Sequence, residues 1–147
     1  MAKIPNRKSC VDRWEAHILE LLDDGTQRAW TPYFNPGALK VVAKSTPNAV
    51  PQAYISQIQA SEACKTAKKR LCNDDEWVAA CKGAKSLQYP YGKEEKPGTC
   101  NDHRDQHPAM EYLEKQDFTV FTKLEHPCIN QIPGSLLKTG EKKECVS

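Results

Sequence analysis

The chain is short of the residues that usually fill a core. Ten Leu, six Ile, seven Val and three Phe make up 26 of its 147 residues. A share below roughly 20% accompanies disorder when net charge is also high. That second condition is not met, because 21 basic and 19 acidic residues leave a formal charge of +2. Three Trp and five Tyr add packing material. The chain therefore reads as ordered but core-poor: loop-rich, cross-linked, or part of something larger. Its length suits one domain and is enough to bury a core without disulfides. An excess of one charge is also lacking. With both signs mixed and a pI near 8.1, nothing demands a nucleic-acid partner or an anionic membrane. No apolar run approaches the ~18–20 residues of a membrane span. The opening Met1-Ala2-Lys3-Ile4-Pro5-Asn6-Arg7-Lys8 has no apolar h-region, so it is not a signal peptide. Internal repeats and low-complexity tracts are absent as well.

Cysteine, by contrast, is abundant, with seven residues. An odd number leaves at least one free, metal-bound or paired outside the chain. The density favours an oxidising compartment, periplasmic or secreted. The missing h-region points instead to a trimmed N-terminus or a cytosolic home.

Two helices have clear start signals. Ser56 with Gln59, and Asn73 with Glu76, each have the spacing of a capping box. In the first, Ala60, Ala63, Cys64 and Ala67 recur at helical spacing as a stripe of small residues. In the second, Asp74 and Asp75 suit the positive end of the dipole, and Gly83 is a natural stop. Helices are thus predicted over 57–68 and 74–82. They are expected to pack together through the alanine stripe, Cys64, Trp77, Ala80 and Cys81, with Trp77 anchoring the second in the core. Elsewhere the pattern is weaker. Residues 10–22 begin with strand-like alternation, while Leu19, Leu21 and Leu22 suit a short helix. Residues 23–53 read as a long loop punctuated by Gly25, Pro32, Pro36, Gly37, Pro47 and Pro51, with a short strand at Val41-Val42-Ala43. Tyr89-Pro90-Tyr91-Gly92 is a turn. Loop follows from residue 93, with a short helix at 109–116.

Cys100, His103 and His107, with His126 and Cys128, have spacings that zinc accepts. The other reading is a polar surface loop beside a disulfide. A Cys–His nucleophilic dyad is not marked out by any local context. The lysines between Lys138 and Lys143 read as a solvated loop.

The run from Ala63 to Gly83 contains Lys68-Lys69-Arg70-Leu71-Cys72-Asn73-Asp74-Asp75-Glu76-Trp77. It resembles the signature of the sulfatase-modifying factor, or formylglycine-generating enzyme, family: Gly-Lys-Arg-Leu-Pro-Thr-Glu-x-Glu-Trp-Glu. Lys69, Arg70, Leu71, Glu76 and Trp77 match it. Lys68 stands in place of Gly and Cys72 in place of Pro, the latter as in a bacterial branch. Tyr89-Pro90-Tyr91-Gly92, Cys100-Asn101 and the opening Cys10-Val11-Asp12-Arg13-Trp14-Glu15 also resemble family motifs. The match covers 10–17 and about 50–101.

This resemblance implies an irregular α/β fold related to C-type lectins and poor in regular structure. The family activity is O2-dependent oxidation of a protein cysteine to formylglycine by a copper-binding cysteine pair. That pair, the calcium sites and a Gly-Asn-x-x-Glu-Trp motif lie in the later half of the family fold. None of these is matched before Ser147. The chain is thus expected to be an N-terminal portion, inactive by itself, with no catalytic, copper or calcium residue carried over. Its expected partners are a protein or peptide substrate and the C-terminal segment of its own fold. The alternative is a non-catalytic lectin-like binding or scaffolding module. Cys10, Cys64, Cys72, Glu76, Trp77 and Cys81 are read as structural. The resemblance implies a Cys10–Cys72 disulfide, with Cys128 bonded to Cys100 or Cys145 as a second pairing. Cys64 and Cys81 are either core thiols or bridges to the C-terminal segment. An iron-binding branch has a His-rich motif in an added domain, and His103 and His107 do not inherit its role.

Overall fold

The computed structural model describes residues 1–114 and 117–146. The chain is a mixed α/β domain with two small antiparallel sheets and short helices. The first sheet pairs β1 (Ala2–Lys3) with β2 (Cys10–Val11). The second has the order β4-β3-β5, with β3 (Ala16–Leu21) central between β4 (Gln27–Ala29) and β5 (Val41–Ser45). Strand β3 pairs Ile18 with Ala43 and Glu20 with Val41.

Side chains alternate across a strand, so Ile18 and Glu20 both face inward and are buried. Glu20 is tolerated there because Arg28 of β4 bonds its carboxylate, Nε to Oε2 at 3.0 Å. The strand runs through Leu19 and Leu21, so the short helix expected at Leu19–Leu22 does not form. Strand β4 falls within the loop expected over 23–53, where Gln-Arg-Ala has no apolar alternation; all three residues are exposed. The turn before it sets the pairing. Gly25 sits at φ +82°, and Asp24 Oδ1 accepts from Thr26 N at 2.9 Å.

Helix α1 (Gln57–Thr66) lies on β5. Ala63 meets Ile18, Val41 and Ala43 in one buried cluster, with Cys64 and Ala67 at its rim. The small-residue stripe thus packs on the sheet and not on the second helix. Helix α2 (Asp74–Lys82) starts and stops as expected, at Asn73 and Gly83. A second buried cluster joins Ala109 of α3 (Pro108–Leu113) to Val120 and Ile129 of two 3-10 helices, Phe118–Lys123 and Ile129–Gln131. Of the helix expected over 109–116, residues 115 and 116 lie outside the described residues.

Two devices tie the C-terminal residues down. Thr139 exchanges backbone bonds with Asn48 and Ala49, and its hydroxyl donates to Thr46 O at 2.8 Å. Beside it, Gly140 (φ +79°) lies so close to the Trp14 ring that an added Cβ would stand 2.9 Å from it. The second device is a Cys100–Cys145 disulfide, with Cα atoms 5.0 Å apart and a sequence separation of 45. A loop of that length corresponds to about 4 kcal/mol in the chain-entropy model. No described helix is long and apolar enough to cross a membrane.

Candidate functional site: the junction of the two matched segments

Helix α1 ends in a Schellman arrangement. Lys69 N bonds Cys64 O at 2.8 Å, Lys68 N bonds Lys65 O at 2.9 Å, and Lys68 takes φ +57°. A left-handed residue at this place is usually Gly. The chain then turns so that Lys69 reaches the residue that follows β2. Its Nζ bonds both carboxylate oxygens of Asp12, at 2.7 and 3.0 Å. Both partners are half-buried, which gives the pair more weight than a surface bridge.

The next residues build a hub around Glu76. Its carboxylate accepts a two-pronged contact from Arg70, Nη1 at 2.6 Å and Nη2 at 2.7 Å. It also accepts from the Ser9 hydroxyl at 2.6 Å and the Asn73 backbone N–H at 3.1 Å. Asn73 Oδ1 in turn accepts from Glu76 N at 2.9 Å, closing the capping box. Charge-assisted, two-pronged bonds of this kind are among the strongest side-chain contacts. Arg70 first, then Ser9 and the Asn73 amide, hold the Glu76 carboxyl far below its ordinary range. A carboxylate engaged by four donors is suited to holding structure and not to taking a proton. The cap contact expected of Glu76 is formed.

Trp77 is a correction. It is 58% exposed. Adjacent helix positions lie about 100° apart. With Glu76 drawn inward, the inward positions of α2 are Glu76, Ala79, Ala80 and Gly83. The expected face of Trp77, Ala80 and Cys81 is rotated by one residue, leaving Trp77 and Cys81 outside.

The Cys10–Cys72 disulfide is a second correction, because both thiols are free. Ser9, just before β2, bonds Glu76 of α2, while Cys10 beside it is exposed. The second expected pairing, Cys128 with Cys100 or Cys145, is corrected too: Cys100 and Cys145 bond each other, and Cys128 is free. Cys64 and Cys81 are also unpaired. Burial raises the pKa of the Cys64 thiol, Lys69 opposes that shift, and Asp12 and Cys72 add to it.

The zinc reading does not assemble. Cys100 is in the disulfide, and His107 Nδ1 caps α3 by accepting from Ala109 N at 3.1 Å. Among the described residues no three His, Cys, Asp or Glu side chains are placed to hold a metal ion. An open cleft of about 350 Å³ adjoins the hub between Arg7, Lys8, Arg70 and Asp75. The Ser9–Glu76 and Asp12–Lys69 contacts were not foreseen. They join residues 67 and 57 positions apart, and no local pattern encodes such a pairing. Scans of family models, of curated proteins and of solved structures each find no match to this chain.

Proposed function

We propose that this chain is the N-terminal portion of a formylglycine-generating-enzyme-like domain on a lectin-related scaffold, and that it supplies architecture and recognition surface, not the oxidising centre. The observation that carries this reading is the meeting of the two matched segments through Lys69 on Asp12, with Ser9, next to the first segment, on Glu76. Further support comes from Lys68. It replaces the glycine of the signature and holds the left-handed conformation that favours glycine. Among the signature residues, Lys69, Arg70 and Glu76 are committed to ion pairs, which suits a scaffold role. Free thiols at Cys64 and Cys81 suit a partner segment from the C-terminal part of the same fold. A second reading, a non-catalytic binding module, draws on the exposed Leu71, Trp77 and Val78. Large apolar side chains grouped at a surface mark interaction sites.

In the test, the purified chain is incubated with copper, O2 and a cysteine-containing peptide, and aldehyde is sought by mass spectrometry. None is expected, and aldehyde formation would overturn the scaffold role. The coding sequence beyond the Ser147 codon tests the family itself. Gly-Asn-x-x-Glu-Trp followed by a cysteine pair supports the enzyme reading. The motif without the pair supports the binding module. Absence of the motif overturns the family assignment.

A further inference from the structure

We propose that the open cleft beside the Glu76 hub binds phosphate, free or as the terminal group of a small hydroxylated ester, and selects it over sulfate. The site stands apart from the scaffold reading, because it needs neither an oxidising centre nor a further segment of chain. The cleft holds about 350 Å³, at the low end of the range for small-molecule sites. One wall is the turn between β1 and β2. Ile4 N bonds Ser9 O at 3.1 Å and Arg7 N bonds Ile4 O at 3.2 Å. Asn6 takes φ +55° within this turn, and Ile4 at its base is fully buried. The Ser9 hydroxyl donates to Glu76 at 2.6 Å, which fixes the turn against α2. Arg7 and Lys8 are thereby held on the cleft they share with Arg70 and Asp75.

The cations of the cleft are not all spent inside the protein. Among the described residues neither Arg7 nor Lys8 forms an ion pair. Arg7 Nη1 donates to Asn6 O at 3.2 Å, which leaves its charge unpaired. Arg70 gives Nη1 and Nη2 to Glu76 and Nη1 also to Leu71 O. Its Nε and the second proton of Nη2 remain as donors, on a side chain that is 63% exposed. Glu76 cancels Arg70, and Asp75 offsets one of the other two cations, so the cleft keeps one net positive charge. Fork-shaped guanidinium groups and a lysine suit a tetrahedral oxyanion. Asp75 then decides which oxyanion enters. A carboxylate only accepts hydrogen bonds. Free hydrogen phosphate offers it a P–OH proton, and a hydroxylated ester offers it an alcohol. Sulfate offers neither, and meets Asp75 as a like charge. An unpaired charge set against the wrong ligand is a recognised source of selectivity.

In the test, the full chain is titrated by calorimetry at low ionic strength with inorganic phosphate, a hexose phosphate and sulfate. Phosphate is expected to bind about tenfold tighter than sulfate. A hexose phosphate tighter than inorganic phosphate assigns the rest of the cleft to the ester, and equal affinities assign the site to the free ion. Arg7→Ala and Lys8→Ala, both at exposed turn residues, should each weaken phosphate about tenfold. Lys123→Ala removes the same charge from a different element and should leave binding unchanged. Asp75→Asn should bring sulfate close to phosphate. The ranking of phosphate over sulfate in the unsubstituted chain needs no variant, so it stands as a test even if a variant folds poorly. No saturable binding of either phosphate at millimolar concentration would overturn the proposal. So would sulfate binding as tightly as phosphate, or a loss in Lys123→Ala equal to that in Arg7→Ala.

Discussion

Helix α1 opens on Ser56 with Gln59 three residues on, and α2 opens on Asn73 with Glu76 three residues on. Both close the reciprocal pair of cap bonds. Both are followed by a residue at positive φ, Lys68 at +57° and Gly83 at +62°. From that shared frame they are held by different forces. Helix α1 buries Ala63 against Ile18, Val41 and Ala43. The buried residue of α2 is Glu76, tied to Ser9 and Arg70. End signals specify that a helix forms and where, but the direction it faces is decided by what the rest of the chain offers it. A sheet face accepts alanine. A serine and an arginine donate to a carboxylate.

The largest expected effect is on the apolar side of this contrast. Ile18→Ala removes the fully buried side chain under α1 and should cost about 2–5 kcal/mol in urea unfolding. A loss below roughly 1 kcal/mol would mean that the cluster collapses freely around the gap. It would also remove the contrast between the two helices.

Glu76→Gln sharpens the polar side. Gln serves the third position of a capping box as well as Glu does, so the substitution keeps the cap and deletes the charge pair with Arg70. The Glu76 carboxyl is held below its ordinary value of 4.5. A group whose folded pKa is depressed contributes stability above its unfolded pKa and loses it as pH falls toward the folded one. The wild-type melting temperature should therefore drop as pH is taken below about 4.5, and the drop should be shallower in Glu76→Gln. Parallel acid profiles would show that Arg70 and Ser9 do not hold the carboxylate in solution.

Lys68→Gly probes the end of α1. A left-handed conformation costs a side-chain-bearing residue about 1–2 kcal/mol, partly offset by the greater freedom of glycine when unfolded. The net gain should be about 0.5–1 kcal/mol in urea unfolding. The same substitution restores the residue found in the resembling signature. A loss of stability would mean that the Lys68 side chain makes contacts worth more than the backbone strain.

Much of the helical layer was legible because its determinants are local. Ser56, Gln59, Asn73, Glu76 and Gly83 act within a turn of where they stand. Val41-Val42-Ala43 announced β5 by composition. What was not legible depended on distant partners. Strand β4 forms because the Asp24-Gly25-Thr26 turn returns the chain to β3, and Gln27-Arg28-Ala29 has no apolar pattern to announce it. The orientation of α2 depends on Ser9, 67 residues away. The Cys100–Cys145 bond closes across 45 residues. Seven cysteines permit many connectivities, and spacing alone does not choose among them. At the junction, the cap between Asn73 and Glu76 is legible because it is local, whereas the exposure of Trp77 is not, because its surroundings are distant.

Trp77 gives the smallest expected effect and the sharpest separation of the two readings of α2. A tryptophan anchoring a core costs about 3–5 kcal/mol when cut back to alanine. At 58% exposure, with Glu76 facing inward one position before it, Trp77 has little packing to lose. Trp77→Ala should change the unfolding free energy by no more than about 0.5 kcal/mol. Fluorescence gives an independent check, since Trp14 and Trp30 are half-buried and Trp77 is not. Acrylamide should quench the wild-type protein through one accessible component, and that component should disappear in Trp77→Ala. Loss of stability near 3 kcal/mol together with unchanged quenching would place the indole in a core. It would rotate α2 by one residue and leave Glu76 without its inward position.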